Sequence, residues 1–119
     1  MSRWGITRRL TIGTLPSQTQ VNNTLAKTTW NDFRLSLEGI HNTVHGAVGA
    51  GGHAMGGASS PSDPLFWLHH AFVDKIWADW QKISTAKPSN LTEQLKPTSL
   101  FTRTVGQVLN TKTLGYVYL

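Results

Sequence analysis

Two apolar segments that carry histidines, separated by a glycine-rich break, constrain this chain more than any other feature. Gly49, Gly51, Gly52, Gly56 and Gly57 open a loop with little intrinsic order, and all five histidines lie between Glu38 and Trp80, on either side of it or within it. His41 and His45 are four residues apart, so on a helix their imidazoles leave one face, one turn apart, as two ligands to one ion must. His69 or His70, in the second apolar segment, supplies a third ligand. Neutral imidazoles suit copper, zinc, nickel or iron, and spacing alone does not choose among them. Three protein ligands leave a position open, as a catalytic metal requires. The competing reading is a structural helical domain, because a lone inward histidine is usually a hydrogen-bonded core residue and a His-x-x-x-His pair arises often by chance.

The surroundings narrow the choices. At 119 residues the chain reads as a single domain, 1–119, large enough to bury a core. It has no cysteine, so a metal must be held by nitrogen or oxygen. The net charge of +5 is spread out, and Arg3, Arg8 and Arg9 are too small a cluster to argue for nucleic acid. No stretch approaches the roughly 18 apolar residues of a membrane span, and no export signal is visible, so the expectation is a soluble chain with the cytoplasm favoured. The glycine run lacks the context of a phosphate cradle or a dinucleotide fingerprint.

Periodicity predicts a mainly α fold. A short helix is expected over Gln18 to Lys27, from Val21, Leu25 and Ala26. Thr29 and Asp32 match a capping box for a second helix lined by Trp30, Phe33, Leu37 and Ile40, which Gly39 should interrupt or end before the turn that carries His41, Val44, His45 and Val48. Asp63 and Pro64 start the strongest helix, running from Leu65 to about Ile83. Its polar strip is Lys75, Asp79 and Lys82; Phe66, His70, Val73 and Trp77 share one face, Leu65, His69, Phe72 and Ile76 the next, so both histidines point inward. Trp67, Trp77 and Trp80 read as core. Leu10 to Ile12 suggests a short extended piece, and the closing LGYVYL a terminal strand or an extended strap.

The motifs FRLSLEG, HNTVH, SPSDP and FWLHHAFVDKIWADWQ resemble the second copper-binding half of the tyrosinase family, the type-3 copper phenol oxidases related to catechol oxidases and molluscan haemocyanins. LPSQTQVNNTLAKTTWNDFR is similar to the lead-in of that half in bacterial tyrosinases, and VLNTKTLGYVYL to the close of their catalytic domain. The resemblance implies half of a four-helix bundle, with two copper-ligating helices, short helices and long loops. It implies His41, His45 and His70 as ligands of one copper, with His69 the adjacent non-ligand. Asn42 and Glu38 match the residues that hold and orient a water, which takes the proton of an incoming phenol. Asp74 reads either as a group orienting a ligand or as part of a surface ion pair. Gly46 and Ala58 fall where larger residues of relatives line the entrance and suggest an open pocket. The loop GAGGHAMGG is longer than usual, which leaves the roles of His53 and Met55 open; His53 is expected to face solvent, with an extra metal ligand as the alternative.

A tyrosinase site joins two coppers, each on three histidines, to oxidise phenols and o-diphenols to o-quinones with dioxygen. Six ligands are needed and this sequence holds five histidines, without the family's first copper-binding half. Met1 precedes a lead-in that matches the start of the second half, which reads as a boundary rather than a cut. The expected partner is a second chain: a homodimer with one copper per chain and a binuclear site between them, or a separate first-half protein. The alternative is a mononuclear copper-binding or inactive module.

Overall fold

The computed structural model describes residues 5–9 and 15–119. The extended piece expected at Leu10 to Ile12 and the Arg3 member of the basic cluster lie outside the described residues. Three helices dominate: α1 (Gln18–Leu25), α2 (Trp30–Gly49) and α3 (Pro64–Ile83), with single 3-10 turns at Ala54–Gly56, Ser60–Ser62 and Val105–Val108. Among the described residues there is no strand, only one isolated antiparallel bridge between Gln94 and Thr104. No helix there is long and apolar enough to cross a membrane.

Each helix starts where side-chain chemistry offers its orphan amides a partner. Ser17 caps α1 in a reciprocal box with Gln20. Thr29 Oγ1 accepts from the Asp32 amide at 3.1 Å at the start of α2. At α3 the Asp63 carboxylate accepts from the Leu65 amide at 2.8 Å, with Pro64 in the first turn. Asp63 is buried and is clamped by Arg8, whose Nε donates to Oδ2 at 2.8 Å. The Arg9 amide donates to the Val48 carbonyl at 2.9 Å, so residues 5–9 lie along the end of α2 and hold the start of α3.

Gly39 does not interrupt α2, contrary to expectation. It is exposed and a Cβ there would meet nothing, so the penalty is only backbone entropy, about 1 kcal/mol. Burial of Phe33, Leu37 and Ile40 on either side of it outweighs that cost.

The core is Val21, Phe33, Leu37, Ile40, Ile76 and Trp80. Phe33 and Trp80 stack at 4.1 Å and 10°, and Trp30 packs against Trp77 at 5.3 Å. The Trp80 indole N–H donates to the Lys27 carbonyl at 2.7 Å, which ties the α1–α2 connection to α3. Trp67 corrects the expectation of a tryptophan core stripe: it is 63% exposed, beside Leu68 at 69% and Phe72 at 50%. These residues form an exposed apolar face of α3 that none of the described residues covers.

The closing LGYVYL forms no strand. Gly115 turns the chain with φ of 93°, and the Tyr116 and Tyr118 hydroxyls anchor it to α3. No strand among the described residues offers a ladder, so side-chain hydroxyls do the anchoring, as a strap.

Replacing Trp80 by Ala should cost about 3–5 kcal/mol in urea unfolding, from lost aromatic packing and an orphaned Lys27 carbonyl. The Arg8 guanidinium holds the Asp63 carboxyl below the usual carboxylate range. Its contribution is therefore present above that range and fades as pH falls through the depressed value. Arg8→Met should move the acid-unfolding midpoint, followed by circular dichroism, to higher pH.

Candidate metal centre

Packing of α2 against α3 brings His41, His45, His69 and His70 into one cluster. His41 and His45 project from successive turns of α2 with ring centroids 4.6 Å apart. His70 comes from α3, with its Nε2 3.1 Å from His41 Nε2. With Asn42, Met55, Gly56, Gly57, Ser60 and Phe66, these three line a shallow cavity of about 330 Å³. A larger cavity of about 500 Å³, between the far half of α3 and the C-terminal strap, contains no histidine.

What surrounds the rings sets their protonation. His41 Nδ1–H donates to Asn42 Oδ1 at 2.9 Å, His45 Nδ1–H to the Met55 carbonyl at 2.6 Å, and His70 Nδ1–H to the Phe66 carbonyl at 2.8 Å. A carbonyl only accepts, so the proton of each neutral ring is held on Nδ1 and the lone pair is left on Nε2. Phe66 stacks on His70 at 3.9 Å and fixes its plane. Burial lowers the affinity of His41 for a proton, against the opposing bond to Asn42, with His45 and His70 adding to the lowering. Two Nε2 lone pairs facing each other at 3.1 Å repel unless an electrophile lies between them. That separation suits two nitrogens each about 2.0–2.1 Å from one ion.

His69 is the other candidate third ligand: the three histidines whose nitrogens all lie within 4.8 Å of one another are His41, His45 and His69. Its Nε2 is engaged with the His41 carbonyl at 3.1 Å, and its ring lies nearly parallel to His41 at 5.3 Å. It does not line the cavity. Burial first, with the neighbouring imidazoles, brings its pKa to about 4, so it stays neutral at ordinary pH as a hydrogen-bonded core histidine.

Other expected residues sit as follows. Asn42 lines the cavity, whereas Glu38 is exposed one turn earlier on the same side of α2 and pairs with Arg34 at 3.3 Å. His53 is half-buried with Nδ1 2.9 Å from Thr7 Oγ1, away from the cluster. Gly46 and Ala58 are both exposed. Among the described residues Asp74 neither bonds a candidate ligand nor joins an ion pair: its Oδ2 accepts from Tyr116 at 2.8 Å and Tyr118 at 2.6 Å. The reason is the C-terminal strap, which brings both phenols to α3. Sequence reasoning missed the Met55 and Phe66 carbonyls, which carry no side-chain signal. The sharing of a helix face by Phe66 and His70 was the one clue to their stacking.

The family model for the common central domain of tyrosinase matches residues 5–83. This chain belongs to the tyrosinase family. It is 42% identical over 91 residues to a tyrosinase of Streptomyces antibioticus, covering 65% of this chain and 32% of that protein. A tyrosinase of Podospora anserina is 45% identical over 73 residues, 60% of this chain and 12% of its own length. Hemocyanin 2 of Megathura crenulata is 43% identical over 63 residues, 50% of this chain and 2% of its own. The chain thus spans about a third or less of these relatives. No solved structure matches it. Tyrosinases depend on copper, and the histidine cluster, free of thiolates and carboxylates, fits that metal.

Burial and the Asp74 carboxylate push the Tyr118 phenol up to about 12. Ultraviolet titration should therefore show one tyrosine ionising well above the ordinary value near 10, and Asp74→Asn should bring it down.

Proposed function

We propose that the chain supplies one three-histidine copper half-site of a tyrosinase-type oxidase, with His41, His45 and His70 as the ligands through Nε2. The observation that supports this most is the convergence of His41 and His70 Nε2 at 3.1 Å, together with an oxygen acceptor on Nδ1 of all three rings. Copper, when bound, supplies the redox chemistry that couples reduction of dioxygen to oxidation of a phenol or o-diphenol to the o-quinone. The chain's own residues do the rest. Phe66 and the Phe66 and Met55 carbonyls set the ring planes. Asn42 holds the Nδ1 proton of His41, and its side chain with the Glu38 carboxylate, one turn away, would hold the water that takes the phenol proton.

A binuclear site needs a second set of three histidines, and the favoured source is a second copy about a twofold axis. The exposed face of Trp67, Leu68 and Phe72 on the histidine-bearing helix supports such an interface. A mononuclear copper module is the other reading, supported by the three imidazoles that line a single cavity.

The test is copper content, mass in solution and catechol turnover of the copper-loaded protein. The proposal expects one copper per chain, a dimer and quinone formation. His70→Ala should lose copper, whereas His69→Gln should keep its stoichiometry. Leu68→Glu with Phe72→Glu should halve the mass and abolish turnover while copper per chain remains. A monomer with one copper and no turnover favours the mononuclear module, and activity restored only by a separate first-half protein shows a heteromer.

A further inference from the structure

The glycine-rich loop contains a feature that its flexibility does not explain. Gly51 and Gly52 have φ of 83° and 89°, the left-handed region where glycine is needed for conformation. Gly49 and Gly56 do not have positive φ; they are needed for space. A Cβ on Gly49 would lie 1.8 Å from the Gly56 nitrogen and 2.4 Å from the Met55 carbonyl carbon, and a Cβ on Gly56 would lie 2.3 Å from the Gly49 oxygen. The backbones cross in direct contact, and neither position accepts any side chain unless the two segments part. The His53 amide donates to the Gly49 carbonyl at 3.2 Å and the Gly56 amide to the His53 carbonyl at 3.0 Å, closing the crossing. The buried Met55 side chain anchors the segment from below.

We infer that the Gly49–Gly56 crossing is a positioning device that sets the tautomer and direction of His45 as a metal ligand, by holding the Met55 carbonyl on its Nδ1. This rests on the copper reading above. His45 lies one turn before Gly49, and the Met55 carbonyl lies one peptide before Gly56, so the crossing brings the two to their 2.6 Å separation. The opposite tautomer would set a nitrogen lone pair against a carbonyl lone pair at that distance. The other two rings need no such support. His70 takes its acceptor from the preceding turn of its own helix, and His41 from the adjacent Asn42. Only His45 is oriented by a remote segment, so only this ligand depends on the loop.

The test uses Gly49→Ala and Gly56→Ala, with Gly39→Ala as the control at an open helical position. In the copper-free parent protein, ¹⁵N NMR should find neutral His45 protonated on Nδ1, and either loop variant should give a tautomer mixture at His45 with His70 unchanged. Copper affinity should fall about 10–100-fold in both variants. The helical circular dichroism should persist, since the Phe33–Trp80 core is far from the loop, and Gly39→Ala should match the parent. The inference is overturned if parent His45 carries its proton on Nε2, or if the loop variants keep parent tautomer and affinity. If a loop variant does not fold, the parent tautomer still decides. If the parent binds no copper, the copper reading fails, while the tautomer measurement still judges the crossing.

Discussion

The antiparallel register of α2 and α3, locked by the Phe33–Trp80 stack, is the constraint on which the rest of the structure depends. Trp80 is buried between Phe33 and the end of α1, with its N–H committed to the Lys27 carbonyl, so α3 can neither slide nor rotate without orphaning a polar atom. From Phe33 to His41 is about 12 Å along one helix, and from Trp80 back to His70 about 15 Å along the other, at about 1.5 Å per residue. A stack at one end of the hairpin therefore brings imidazoles from two helices together at the other end. Stability and site geometry are the same packing decision.

The opposite end of the hairpin is held by polar contacts rather than apolar bulk. Asp63 caps α3, Arg8 neutralises it, and the backbone of residues 5–9 follows the end of α2. The loop between the helices is pulled in by Met55 and by the glycine crossing, which turns a flexible composition into a fixed wall of the cavity. Burial and the neighbouring rings lower the proton affinity of His41 and His69, and the acceptors on Nδ1 of His41, His45 and His70 leave the Nε2 lone pairs of those three free. The cost of gathering uncompensated lone pairs is what a bound cation would relieve.

Much of this was legible residue by residue. Ser62-Asp63-Pro64 announced α3, Thr29 and Asp32 announced α2, and the histidine spacing announced a shared face, because caps and periodicity are local physics. Gly39 misled because intrinsic propensity is a small term beside the burial of Phe33, Leu37 and Ile40. Trp67 misled because a tryptophan in an apolar helix signals burial without saying in what. Asp74 misled because its partners, Tyr116 and Tyr118, lie some forty residues away and arrive only through the turn at Gly115.

By itself, the amino-acid sequence determined the helices, their caps, the family and the short roster of histidines, since each depends on neighbours along the chain. Tertiary structure alone decided that His69 is tied to a backbone carbonyl while His70 faces the cavity, that Met55 contributes its carbonyl, and that one apolar face of α3 is exposed among the described residues. Those outcomes depend on which backbone atoms meet across the hairpin, and carbonyl oxygens and close glycine contacts leave no signature in residue type.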